Sequence, residues 1–207
     1  MPKYISQERL ARAAAQATAT AQARRAPRPP APSGRPPVPG PAPAPAPLSP
    51  GGDAIAAARS LVAGMDSELL RELAATLDQR QVRIEFGSLP PGALGVWQPQ
   101  LNTITIAEQH RAASVEGIAG ILVHEATHAY DHYRGRLGTT TGECYDLEGR
   151  AFANQAKYWE ARHGRGGKPG ATDPLEKQLN TIMLVVNEKP LTFAVELMAL
   201  YQGECAG

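Results

Sequence analysis

His124-Glu125-Ala126-Thr127-His128 sets two histidines four residues apart, with a glutamate directly after the first. On an α-helix, residues i and i+4 lie one turn apart on the same face, about 6 Å along the axis. Two imidazoles so placed can converge on one ion at Zn–N distances of about 2.0–2.1 Å. Glu125 falls about 100° round the helix from His124. Its carboxylate therefore points beside the ion, where it suits a general base for water. This is the HExxH spacing of zinc hydrolases.

The surrounding residues predict that this stretch is helical and buried. Ser114 is a suitable N-cap; Val115, Ile118, Ala119, Ile121, Leu122 and Val123 follow; Gly135 ends the helix after Tyr133-Arg134. Histidines in such a helix need polar partners. Upstream, Val82-Arg83-Ile84-Glu85-Phe86 alternates at period two, residues 94–97 form a second strand, and Thr103-Ile104-Thr105-Ile106 a third after a Gln98-Pro99-Gln100 turn. The expectation is a small antiparallel sheet beside the motif helix, with 103–106 as the edge strand that takes a substrate peptide as a further strand. Helices are expected at 53–63 and 67–78, capped by Asp53 and Asp66, and downstream at 143–162, 174–186 and 190–201. The class is α+β, mostly helical.

Two histidines leave a catalytic zinc one protein ligand short. His132 continues the i, i+4 series but lies two turns from His124, about 12 Å away, so it reads as a flanking polar residue. Glu148 is the preferred third ligand: a helix returning antiparallel after the 138–142 loop can present it, and the small Ala151 lets the two helices approach. Glu143, near the start of that helix, and Glu196, in the apolar run 193–198, are the alternatives. Asp131 shares the ligand face and either orients a ligand histidine or hydrogen-bonds near the helix end. For an oxyanion stabiliser the chain offers Tyr145, Tyr201 and His163.

A metzincin would carry glycine at 131 and histidine at 134; Asp131 and Arg134 exclude that family. With a glutamate arriving from a following helix in an E-x-x-A setting, the chain resembles the gluzincins. More narrowly, His124-Glu125-Ala126-Thr127-His128-Ala129-Tyr130-Asp131-His132, followed by Glu148-Gly149-Arg150-Ala151, is similar to the HExxHAYDH and ExRA segments of the mitochondrial inner-membrane metallopeptidases that process an ATP-synthase subunit. The likeness spans 13 positions. It implies a zincin-like domain, Zn2+ held by His124, His128 and Glu148, and peptide hydrolysis with Glu125 as base. The mitochondrial family's substrate is not carried over.

Composition divides the chain of 207 residues, since 13 of its 19 prolines fall in residues 1–50. The expected domains are a basic Ala-rich arm at 1–25, a disordered Pro/Ala-rich linker at 26–52, and a metallopeptidase domain at 53–207. The formal charge of +1 hides a split of +6 over residues 1–50 and −5 over the rest. A basic arm on an acidic body can meet nucleic acid, an anionic membrane or an acidic partner; a solvated spacer is the preferred reading, and no strong nucleic-acid signal exists. The arm's composition only faintly resembles a mitochondrial transit peptide. No apolar core of a secretory signal peptide follows its positive start. The most apolar window, 182–200, is interrupted by Asn187-Glu188-Lys189-Pro190, so no transmembrane span is expected and a cytoplasmic setting is favoured. Cys144 and Cys205 are expected as buried free thiols rather than a bridge.

The expected function is a zinc metalloendopeptidase acting on a protein or peptide. Two rivals stand beside it: a non-catalytic zinc-binding interaction protein that docks a partner through its Pro-rich arm, and a delivered protease effector or toxin.

Overall fold

The computed structural model, which describes residues 53–202 and 205, has six α-helices and a three-stranded sheet, with the HExxH segment on one of the helices. The arm and linker expected at 1–52 lie outside the described residues. In chain order the elements are α1 (Asp53–Ala63), α2 (Glu68–Gln79), β1 (Arg83–Gly87), β2 (Gly95–Gln98), β3 (Thr103–Ala107), α3 (Val115–Tyr133), α4 (Thr141–His163), α5 (Pro174–Glu188) and α6 (Pro190–Tyr201). The molecule is α+β and mostly helical, as its periodicities predict.

Helix α3 is the hub. It opens where the Ser114 hydroxyl accepts the Gly117 N–H at 3.1 Å. It closes where Gly135, at φ 73°, lets its own N–H reach the His132 carbonyl and the Arg136 N–H reach the Asp131 carbonyl. That pair of bonds is a Schellman motif, which needs a residue comfortable in the left-handed region. Between these ends α3 packs against α1, α2, α4, α5, β2 and β3. Ile118, Ile121, Leu122 and Val123 are consequently buried, each worth about 1.5–3 kcal/mol relative to exposure. Gly120 makes one of these contacts possible: a Cβ there would stand 2.8 Å from a methyl of Leu179 on α5.

The sheet departs from the expected antiparallel arrangement. Its order is β1-β3-β2: β1 runs parallel to β3, with Arg83 opposite Thr103, and β2 runs antiparallel to it, with Gly95 opposite Ile106. Residues 103–106 are therefore the central strand, not the edge. Thr103 and Thr105 are buried in it, and their hydroxyls are satisfied locally. Thr103 donates to the Leu101 carbonyl at 2.9 Å, and Thr105 meets the Gln98 side chain at 3.4 Å. The edge beside α3 belongs to β2.

Two smaller expectations are also corrected. Ser67, not Asp66, caps α2 by accepting the Leu70 N–H, while Asp66 reaches Arg71; the Asp53 cap falls outside the described side chains. Cys144 and Cys205 form a disulfide instead of remaining free thiols. Packing of α5 and α6 back against α4 brings residues 61 apart in sequence to a Cα–Cα distance of 5.5 Å. No described helix is long and apolar enough to cross a membrane.

Candidate metal centre

Helices α3 and α4 face each other so that three donor atoms converge. His124 Nε2 and His128 Nε2 are 3.2 Å apart, with Glu148 Oε2 3.5 Å from the first and Glu148 Oε1 3.4 Å from the second. Ligands about 2.0–2.1 Å from a zinc at tetrahedral angles stand about 3.3–3.4 Å from one another. The His124–His128 separation is close to such an edge, and each histidine faces a different oxygen of the Glu148 carboxylate. Glu148 Oε2 is buried without a hydrogen bond among the described residues, a costly state for a carboxylate unless a cation completes it. His124, His128 and Glu148 are thus a group that could hold a metal ion.

What positions Glu148 is legible two residues on. Arg150 donates to the Asp131 Oδ1 at 2.9 Å, pinning α4 to the C-terminal half of α3. Arg136 reaches the same oxygen at 3.2 Å. Asp131 is buried and carries these two cations rather than a hydrogen bond to either histidine. The His124 ring is packed edge-on against Phe152, 4.5 Å between centroids, and Phe152 is backed by Phe193 and Tyr201 of α6. Its Nδ1 has no hydrogen-bond partner among the described residues.

The electrostatics belong to one coupled group. Burial opposes the charged form of His128, yet the Glu148 charge, with Glu125 and Asp131 behind it, pushes it up to about 9. Burial likewise raises the Glu148 carboxyl, but attraction to the two histidines reverses this and holds it well below the usual carboxylate range. Glu125 is pushed upward by burial, only partly offset by the nearby histidines and a hydrogen bond from the Trp97 backbone. A carboxylate raised toward neutrality is the better proton acceptor.

A cavity of about 330 Å³ opens onto these residues, walled by Leu94, Val96, Trp97, Leu137, Leu147 and Phe152, with His132, Arg136 and Tyr201 as polar neighbours. The alternative ligands stay outside the convergent group. Glu143 closes a capping box at the start of α4, accepting from the Thr139 hydroxyl and the Thr140 N–H. Glu196 is half-buried, not deeply buried as its apolar surroundings imply, and is no part of the cluster. His132 packs edge-on to Trp97 at the cavity wall. Of the oxyanion candidates, Tyr145 donates to the Met198 carbonyl and His163 sits against Trp159 beside Glu116; Tyr201 alone of the three lines the cavity.

Sequence reasoning missed Gly95, Trp97 and Arg136. Gly95 and Trp97 lie on β2, whose backbone runs directly against Glu125: a Cβ on Gly95 would stand 2.9 Å from Glu125 Cγ. Only the glycine in an otherwise apolar strand hinted at a close approach.

No protein-family model, curated protein or solved structure matches the chain. The donor geometry therefore carries the functional argument by itself.

Proposed function

We propose that this chain is a zinc-dependent metallopeptidase of gluzincin type, on a zincin-like domain, with Zn2+ held by His124, His128 and Glu148. The observation that carries this reading is the pair of histidine nitrogens 3.2 Å apart, each within 3.5 Å of a Glu148 carboxylate oxygen, with Glu125 alongside. When bound there, the metal supplies Lewis-acid polarisation of the scissile carbonyl and a more acidic water. Glu125 accepts the proton of the attacking water and returns it to the leaving amine. The Trp97 backbone hydrogen bond keeps that carboxylate beside the donor trio rather than within it.

Substrate alignment falls to β2. One of its edges pairs with β3, and residues 95–97 of the strand line the cavity, so its other edge can take an extended peptide as an additional strand. This role replaces the one expected of residues 103–106.

A purely structural zinc site gains nothing from a buried glutamate beside its ligands, whereas a hydrolase requires one; the scaffold reading is the weaker for it. The Cys144–Cys205 disulfide favours an oxidising compartment over the cytoplasm, in keeping with an exported or delivered protease.

The test is a matched pair of zinc-loaded proteins and a peptide library. Wild type should bind one zinc and cleave in a chelator-sensitive manner; Glu125→Gln should keep the zinc and the fold while losing about 100-fold or more in turnover. Cleavage at the wild-type rate by Glu125→Gln removes the proposal.

A further inference from the structure

Arg136 is the one Lys or Arg among the described residues lining the cavity. Its backbone is fixed by the Schellman bond to the Asp131 carbonyl, and its side chain leans on the Asp131 carboxylate. Asp131 is shared, however. Arg150 holds the same Oδ1 at the shorter distance, so two guanidinium charges meet a single carboxylate charge. The surplus positive charge has somewhere to act: the Arg136 side chain is 51% exposed, and it borders the apolar wall formed by Leu137, Leu147 and Phe152. A guanidinium has five N–H donors in a planar fork matched to carboxylates. Among the described residues this side chain donates one hydrogen bond, to Asp131.

We infer that Arg136 is a specificity determinant that recognises a carboxylate of the peptide substrate, while the apolar wall takes a neighbouring hydrophobic side chain. This rests on the peptidase reading of the same cavity and adds the substrate class: peptides pairing an apolar residue with an acidic group near the scissile bond. The carboxylate can belong to an internal Asp or Glu or to a free C-terminus. Acid and amide isosteres differ in charge and hardly in shape, so they isolate this contact. Removing a charge-assisted hydrogen bond of this kind costs about tenfold or more in affinity.

The test uses full-length, zinc-loaded Glu125→Gln protein, which separates binding from turnover. The probes are blocked octapeptides with a central leucine, carrying Asp, Asn or Lys at each other position in turn, together with copies ending in a free carboxylate. Binding should favour Asp over Asn about tenfold at one or two positions, or the free carboxylate over the amide, identifying which source is used. Adding Arg136→Gln should abolish that preference, and Arg136→Glu should turn it toward Lys; thermal melting checks that both variants fold, which Arg150 on Asp131 should secure. Equal binding of acid and amide peptides, a preference that survives Arg136→Gln, or no peptide binding at all overturns the inference. An acid preference that depends on Arg136, in a wild-type protein that cleaves nothing, leaves the carboxylate site standing and removes the peptidase reading instead.

Discussion

Gly95 on β2 lies against Glu125 on α3 with no room for a side chain: an added Cβ would meet Glu125 Cγ at 2.9 Å, its Oε1 at 3.0 Å and the Ile121 Cγ2 at 2.8 Å. The glycine therefore sets how close the strand comes to Glu125. Gly95→Ala should displace the Glu125 carboxylate, lowering turnover by about tenfold or more while one zinc remains bound, and costing about 1–3 kcal/mol of stability from overpacking. Metal content, steady-state rates and urea midpoints measured on one preparation check this; an alanine variant with unimpaired turnover would show that the approach does not position Glu125.

Asp131 should matter more to stability than either arginine it holds. Asp131→Asn leaves two guanidiniums around a buried amide, whereas Arg150→Gln leaves Arg136 in place on the carboxylate. Breaking a buried pair costs about 3–5 kcal/mol; because both arginines reach solvent, the expectation for Asp131→Asn is nearer 2–3 kcal/mol, and for Arg150→Gln about 1 kcal/mol. Both should also weaken zinc binding about tenfold, since Arg150 anchors the turn that presents Glu148. The reverse order of denaturation midpoints, or unchanged metal affinity, would contradict the arrangement.

Much of this site was legible because its determinants are local. The spacing of His124, Glu125 and His128 needs only helical geometry, and Glu148 needs only a short loop followed by an antiparallel helix. Gly95 and Arg136 were not legible, because their meaning comes from contacts across the chain: one lies against a helix starting 20 residues later, and the other rests on a carboxylate it shares with α4. The strand order failed for a similar reason. Alternation in Thr103–Ile106 reports two unlike faces but not which neighbours cover them, and short-range hydroxyl bonds allowed both faces to be buried. The disulfide depends on how three helices pack, which two isolated cysteines cannot reveal.

Zinc binding should strengthen with pH. In the metal-free protein His128 is pushed up to about 9, above its unfolded value near 6.5. Its protonated form therefore adds stability that is full below about pH 6.5 and is lost as pH climbs through about 9. Zinc takes the neutral imidazole, so binding expels that proton, and apparent affinity should rise by up to about tenfold per pH unit until about pH 9, then level. Chelator competition over that range measures the slope, and an affinity independent of pH would mean that His128 gives up no proton to the metal.

Reduction of Cys144–Cys205 should loosen the wall of the cavity as well as the fold. The bridge joins residues 61 apart, and a loop of that length corresponds to about 4 kcal/mol in the chain-entropy model. It ties the start of α4 to the chain just beyond α6, whose Phe193 and Tyr201 back the Phe152 ring packed on His124. Reductant, or Cys205→Ser without reductant, should thus lower the melting temperature clearly and raise KM through a less ordered wall, with zinc stoichiometry retained because Glu148 is held separately through Arg150. Two titratable thiols in the unreduced native protein, or identical melting with and without reductant, would show that α6 is kept in place by packing alone.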